Sequence, residues 1–261
     1  MLAFSSLLGN VEGQNIYRIW YDKPASYWEE ALPVGNGRIA AMVFGDPQLE
    51  QIQLNEETVS AGSPYQNYNE EAKTALPEMR RLIFEGKYEE AQNMAATKIL
   101  SQVGNEMPYQ TVGRLNIRYQ DHKKVNNYYR DLDISNAVAV TRYEVDGVEF
   151  TEETFASFTD QLVIRHIKAS KPGTINCELF FNTPMRDPKR SIYGKKGLRL
   201  EGITHGSRYF PGKVHYCADL DVKHKGGKVI TANDTLLSVQ GASELTLYIS
   251  MATNFVNYKD I

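Results

Sequence analysis

The chain has 261 residues, 42% of them hydrophobic, with 16 Tyr and 10 Phe and a formal net charge of −3 from 29 Lys+Arg against 32 Asp+Glu. That balance supplies no extended positive field, which excludes the electrostatic footprint of a nucleic-acid binder or of a protein held on an anionic membrane surface. No apolar run approaches the roughly 20 residues needed to cross a bilayer, so no membrane span is expected and a neutral or weakly charged partner suits the composition best.

In chain order, the first stretch is MLAFSSLLGNVEGQN, an apolar run from Leu2 to Leu8 followed by Val11 and Gly13 at a spacing that suits signal-peptidase cleavage before Gln14. Residues 1–13 read either as the remnant of a secretory leader, without its basic opening, or as an ordinary first strand. The segment ALPVGNGRIAAMVFGDPQLEQIQLNEETVSAG, Ala31–Gly62, follows. Asn36 and Gly37 suit a turn, and Ile39 to Phe44 is apolar at every position, the pattern of a strand buried on both faces. Gln51 to Leu54 alternates polar with apolar, the pattern of a strand with one wet face.

Helical periodicity begins at Asn69 and lasts to about Leu100. Asn69 can cap an N-terminus, and Glu70 and Glu71 favour the first turn. Ala72, Leu76, Met79 and Ile83 form an expected apolar face, Pro77 predicts a kink or a fresh start, and Gly86 suits the stop. A second helix is expected with Tyr88, Ala91, Ala95 and Ile99 on one side.

From Tyr109 onward the signals are those of strands. Val138–Val145 and Val148–Phe155 flank Asp146-Gly147, the dipeptide that most readily takes a tight hairpin turn. Further strands are expected at 161–169, 175–181, 197–200, 214–222, 228–230, 235–240 and 244–251. No internal repeat or linker-like tract divides the chain, so the expectation is one large antiparallel β-sandwich with a helical insertion at about 70–100.

Candidate chemistry is sparse. Glu56 and Glu57, like Glu29 and Glu30, are neighbours in the chain, and adjacent strand residues point to opposite faces, so neither pair can flank one bond. Trp28, Asn36 and Arg38 make a better binding set, because an indole stacks on a sugar face while amide and guanidinium bond hydroxyls. A core anchor is the plainer role for Trp28. The histidines at 122, 166, 205, 215 and 224 lack the spacing of a metal pair, and His166, on a face with Leu162 and Ile164, reads as a core residue. Cys177 and Cys217 read as free thiols, with a disulfide as the alternative. Serine elbows, phosphate loops and zinc knuckles are absent.

The blocks WYDKPASYWEEALPVGNGRIAAMVFG, IQLNEET, LPEMRRLIFEGKYEEAQ and YRDLDISNAVAVTRYEVDGVEFTEETFASFTDQLVIRHIKASKPG occur in this order. Together they resemble the N-terminal domain of glycoside hydrolase family 95, which comprises chiefly α-L-fucosidases with some α-L-galactosidases. The likeness runs from about Ile19 to GASELTLYISMATNF and so covers nearly the whole chain.

The resemblance implies a supersandwich-type β domain over residues 14–257, with residues 258–261 opening a linker to an (α/α)6 barrel. In the family that barrel holds the catalytic acid and the asparagine-assisted carboxylate that activates water with inversion. No catalytic residue, metal or cofactor is therefore expected in this chain. The expected partners are the barrel of the same parent chain and fucosylated or related glycans, and the expected location is periplasmic or secreted.

Trp28, Asn36, Arg38, Asn55 and Glu56 are expected at one edge, facing the interdomain cleft. Two departures from the family pattern stand out. Val59-Ser60-Ala61-Gly62 replaces a Leu-Trp-Ser-Gly type sequence, and Arg114 replaces an acidic residue. A stand-alone carbohydrate-binding module and a purely structural sandwich are the alternatives.

Overall fold

The computed structural model describes residues 17–60, 68–101, 108–206, 211–257 and 259–260. The leader-like residues 1–13, Ala61 and Gly62 of the first departure, and Tyr258 and Ile261 of the expected linker lie outside these. Two sheets face each other across one core, and every strand pairing described is antiparallel.

The nine-stranded sheet runs, in spatial order, β1 (Arg18–Tyr21), β6 (Asn126–Asp133), β7 (Val138–Val145), β8 (Val148–Ser157) and β9 (Leu162–Ala169). It continues through β16 (Glu244–Thr253), β13 (His215–Lys225), β12 (Gly197–Ile203) and β11 (Arg186–Tyr193). The seven-stranded sheet runs β14 (Lys228–Asn233), β15 (Leu236–Ala242), β10 (Ile175–Asn182), β5 (Gly113–Tyr119), β4 (Leu49–Glu56), β3 (Ile39–Val43) and β2 (Leu32–Gly35).

Period-two alternation explains how these strands pack, since one face of each must leave water. Ile52 and Leu54 of β4, Leu115 and Ile117 of β5, and Leu179 and Phe181 of β10 meet Val163 and Ile167 of β9 and Leu245, Leu247 and Ile249 of β16 in the core. Each such side chain contributes about 1.5–3 kcal/mol on burial. In β3, Ile39, Ala41 and Val43 are buried while Ala40 and Met42 are only half-buried, so this strand has a partly open outer face rather than two closed ones. The Asp146-Gly147 turn takes φ of 50° and 73°, which joins β7 to β8 without splaying them.

The helical insertion comprises α1 (Ala72–Phe84), α2 (Tyr88–Met94) and a π-helical turn over Ala95–Ile99. Its three parts pack chiefly on one another. Gly86, at φ +77°, ends α1 in a Schellman arrangement: the Lys87 amide donates to Leu82 O (2.9 Å) and the Gly86 amide to Ile83 O (3.1 Å). Pro77 lies inside α1, which runs on from Ala72 to Phe84 rather than starting afresh there. Ala75 and Leu82 are the buried positions, whereas Ile83 is 41% exposed, so the packed stripe is rotated from the expected one. Asn69 works from further away than a cap: its Oδ1 accepts the Glu71 amide (3.0 Å) and its Nδ2 donates to Thr97 O (3.2 Å) and Leu100 O (3.3 Å), tying both ends of the insertion together. Among the described residues no helix is long and apolar enough to cross a membrane.

Candidate functional site

One end of the sandwich gathers three of the five candidate residues. Between β2 and β3 the Asn36 side chain accepts the amides of Arg38 (3.1 Å) and Ile39 (2.9 Å), which closes the turn, and donates to Ser157 O (2.8 Å) at the end of β8. Arg38 then reaches across the core edge. Its Nε donates to Gln161 Oε1 (2.8 Å), and its Nη1 donates to Met251 O (3.1 Å) on β16 and to Glu56 Oε1 (3.3 Å) at the end of β4.

Glu56 is 4% exposed. Its second oxygen accepts both the amide (2.7 Å) and the hydroxyl (2.6 Å) of Thr58, whose hydroxyl also meets that of Thr253. Both carboxylate oxygens are thus committed to donors of this chain. The arrangement fastens the two sheets together across one end and commits three of the roughly four acceptor sites of Glu56 to this chain. Glu57, the next residue, is exposed, as alternation requires.

The other two candidates stand apart. Asn55 has the parity of Gln51 and Gln53 on the outer face of β4, opposite to Glu56, and its Oδ1 is buried without a hydrogen-bond partner among the described residues. Trp28 sits in a 3-10 turn (Trp28–Glu30) just before β2, at the opposite end of that strand from Asn36. At 49% exposure it is not a core anchor. Arg130 holds this segment through Nε to Lys23 O (2.8 Å) and Nη1 to Glu30 O (2.7 Å), with the Tyr21 ring 4.1 Å from its guanidinium carbon.

Of the two departures, Val59 is fully buried in the core. Arg114 is exposed on the outer face of the seven-stranded sheet, bonded to Gln51 Oε1 (2.7 Å), beside a cavity of about 300 Å³ that Gln53 and Asn182 also line.

A polar cluster that the sequence reading does not anticipate lies between the sheets. Arg165 on β9 is fully buried and pairs with Glu50 of β4 (2.9 Å) and with Glu152 of β8. Its Nη1 also donates to Thr154 (2.8 Å). Glu152 accepts the hydroxyls of Tyr119 (2.6 Å) and Tyr143 (2.7 Å), and Glu50 accepts the amides of Phe44 (3.1 Å) and Gly45 (2.9 Å).

Burial pushes the Glu50 carboxyl up to about 7, against the pull of Arg165 and with the help of Glu152. Desolvation also lowers His122, which stacks on Tyr119 at 4.3 Å between ring centroids. The signal for this cluster was parity: Arg165 shares its strand face with Val163 and Ile167, whereas His166 shares the half-open outer face with Ile164 and so is not a core residue. Cys177 and Cys217 are free, the first on the core face of the seven-stranded sheet and the second half-buried on the other sheet.

Known proteins resemble this chain over most of its length. Residues 19–258 match the family described as glycosyl hydrolase family 65, N-terminal domain. "Alpha-L-fucosidase 2" of Arabidopsis thaliana is 31% identical over 94% of this chain and 31% of its own. "Probable alpha-fucosidase A" of Aspergillus niger is 26% identical over 91% of this chain and 30% of its own. Its namesake in Aspergillus oryzae is 25% identical over 95% of this chain and 35% of its own. The chain thus spans about a third of the length of these curated relatives. Their names agree with the resemblance read from the sequence blocks, and the match of residues 19–258 places the chain in the glycosyl hydrolase family 65 N-terminal domain family.

Proposed function

We propose that this chain is the non-catalytic N-terminal domain of a family 95 glycoside hydrolase, an inverting α-L-fucosidase that acts on fucosylated glycans. The observation that carries this reading is the 31% identity to an α-L-fucosidase over 94% of this chain but only 31% of the relative. The domain packs against and shapes an (α/α)6 barrel that supplies the acid and the base. The three donors of this chain that engage the buried Glu56 support a scaffold role for this strand end, since they hold the carboxylate in its ionised form within the sandwich. Secretion or export to the periplasm is part of the proposal, supported by the apolar run Leu2–Leu8.

The test is hydrolysis of an aryl α-L-fucoside and of fucosylated oligosaccharides by this chain and by a chain extended through the barrel. Inversion needs two carboxyl groups roughly 6.5–9.5 Å apart across the scissile bond. The extended chain is expected to turn over with inverted product, and this chain to show none above the uncatalysed rate. Comparable turnover by both would place the catalytic groups here and overturn the reading.

A further inference from the structure

The outer face of the nine-stranded sheet carries a cavity of about 540 Å³, within the range that holds small-molecule ligands. Strand register explains its shape. Ile164 of β9 lies opposite Tyr248 of β16, Tyr248 opposite Asp221 of β13, Asp221 opposite Gly197 of β12, and Gly197 opposite Tyr193 of β11. The row therefore reads apolar, aromatic, carboxylate, glycine, aromatic. The glycine is required, because a Cβ on Gly197 would lie 2.4 Å from Leu220 O and 3.2 Å from the Tyr193 ring, which leans over this position. Three strand spacings put the backbones of the two tyrosines about 14 Å apart, and the lean of Tyr193 over Gly197 brings its ring nearer, a span that suits two or three linked pyranose rings.

The neighbouring side chains set the chemistry. Asp219 holds Arg199 through two bonds (2.7 and 2.6 Å), and that guanidinium carbon lies 4.6 Å from the centre of the Tyr193 ring. Lys223 Nζ lies 4.9 Å from the centre of the Tyr248 ring. One cation of the chain thus already lies over each ring, which disfavours a cationic ligand and restricts any stacked ligand to the rest of the ring. Asp160, Asp219 and Asp221 among the lining groups disfavour an anionic one. A purely apolar ligand would strip water from Asp221 without replacing its hydrogen bonds. A neutral sugar offers both what the tyrosines need, a C–H face, and what Asp221 and Ser250 need, hydroxyl donors.

We propose that this face is a binding subsite for a neutral oligosaccharide of two or three rings, with Tyr248 and Tyr193 as stacking walls and Asp221 as the principal hydroxyl acceptor. It goes beyond the function proposed above, which assigns no sugar-contacting residue to this chain, and its test reads binding rather than turnover, so either can fail alone.

The experiment is calorimetric titration of the 261-residue chain with 2′-fucosyllactose and with cellotriose, with sialyllactose and spermidine as anionic and cationic comparators. At least one neutral sugar is expected to bind saturably with a dissociation constant at or below about 1 mM. Tyr248→Ala and Asp221→Asn are each expected to weaken it about tenfold or more, while Tyr88→Ala, on the helical insertion, leaves it unchanged. Ring-proton shifts of Tyr193 and Tyr248 on titration of the unsubstituted chain decide the matter if Tyr248→Ala does not fold. No saturable neutral-sugar binding, binding unmoved by both substitutions in folded variants, ring protons unmoved by sugar, or tighter binding of either comparator would overturn the proposal.

Discussion

The sandwich and the helical insertion are stabilised in different ways. In the sandwich, side chains far apart in sequence meet in one core, and the Arg165 cluster joins β4, β8 and β9. In the insertion, buried positions are reduced to Ala75, Leu82 and Ala91, while Phe84 is 89% exposed and Tyr88 68% exposed. What orders the insertion is local: the Schellman turn at Gly86, the Arg81 ion pairs with Glu78 and Glu85, and the Asn69 tie. Local order can melt alone, because few long-range contacts are lost with it. The sandwich is expected to unfold as one cooperative unit, and the insertion to open without it.

Four perturbations sharpen or break that contrast. The largest effect is expected for Arg165→Leu, which strands Glu50 and Glu152 in the core and should cost about 3–5 kcal/mol. Urea denaturation followed by tyrosine fluorescence reads it, and a loss below about 1 kcal/mol would mean that the cluster does not hold the sheets together.

Next is the pH response of Glu50. Its folded value near 7 lies above its ordinary 4.5, so the folded state binds the extra proton in between. Its contribution is fully present below about 4.5 and is lost as pH rises through about 7, roughly 3 kcal/mol in all. Below about 6.5 the depressed His122 works in the opposite direction, because the unfolded histidine takes up a proton that the buried one resists. Between its lowered folded pKa and about 6.5, His122 therefore offsets part of the fall that Glu50 produces from about 4.5 to 7, and above about 6.5 the fall is that of Glu50 alone. Carboxyl carbon shifts in an NMR titration locate the midpoint directly, and a value near 4.5 would remove the effect.

Arg38→Met should cost about 1–2 kcal/mol, since it takes the Arg38 donor from Glu56 Oε1 and from Met251 O at the fastened end of the sandwich, while Thr58 still serves the other Glu56 oxygen. The smallest effect belongs to the insertion. Gly86→Ala forces a side chain into the left-handed region with nothing nearby to clash, a cost of about 1 kcal/mol. Hydrogen exchange should quicken at Gly86 and Lys87 while the urea midpoint of the sandwich stays put. A shifted midpoint would show that the two regions are coupled.

Legibility in the sequence followed the same division. The β7–β8 hairpin could be read almost to the residue because Asp146-Gly147 fixes its register, and β9, β10 and β16 because alternation marks a strand with one wet face. The edge strand β11 was invisible: Arg186 to Tyr193 is exposed along nearly all its length, so no alternation survives, and Pro188, Lys189 and Arg190 read as loop. The five candidate site residues divided for a related reason. Asn36, Arg38 and Glu56 turn to a common end, but Asn55 has the opposite parity and Trp28 lies one strand length away. Arg165 escaped notice because a charge on a core face contradicts the pattern that defines the face, and only its three-dimensional partners explain it.

The position of β16 has a consequence for how the protein is made. This last strand lies in the middle of the nine-stranded sheet, between β9 and β13. A ribosome adding about 5–20 residues per second needs on the order of ten seconds to pass from the end of β9 to the end of β16. Throughout that interval β9 lacks its neighbour, and from the end of β13 onward the nascent sheet is in two parts, each presenting a long unpaired edge to neighbouring polypeptides on the same polysome. Translation speed over Leu162–Thr253, and the attendance of chaperones during it, should therefore bear on the yield of native protein.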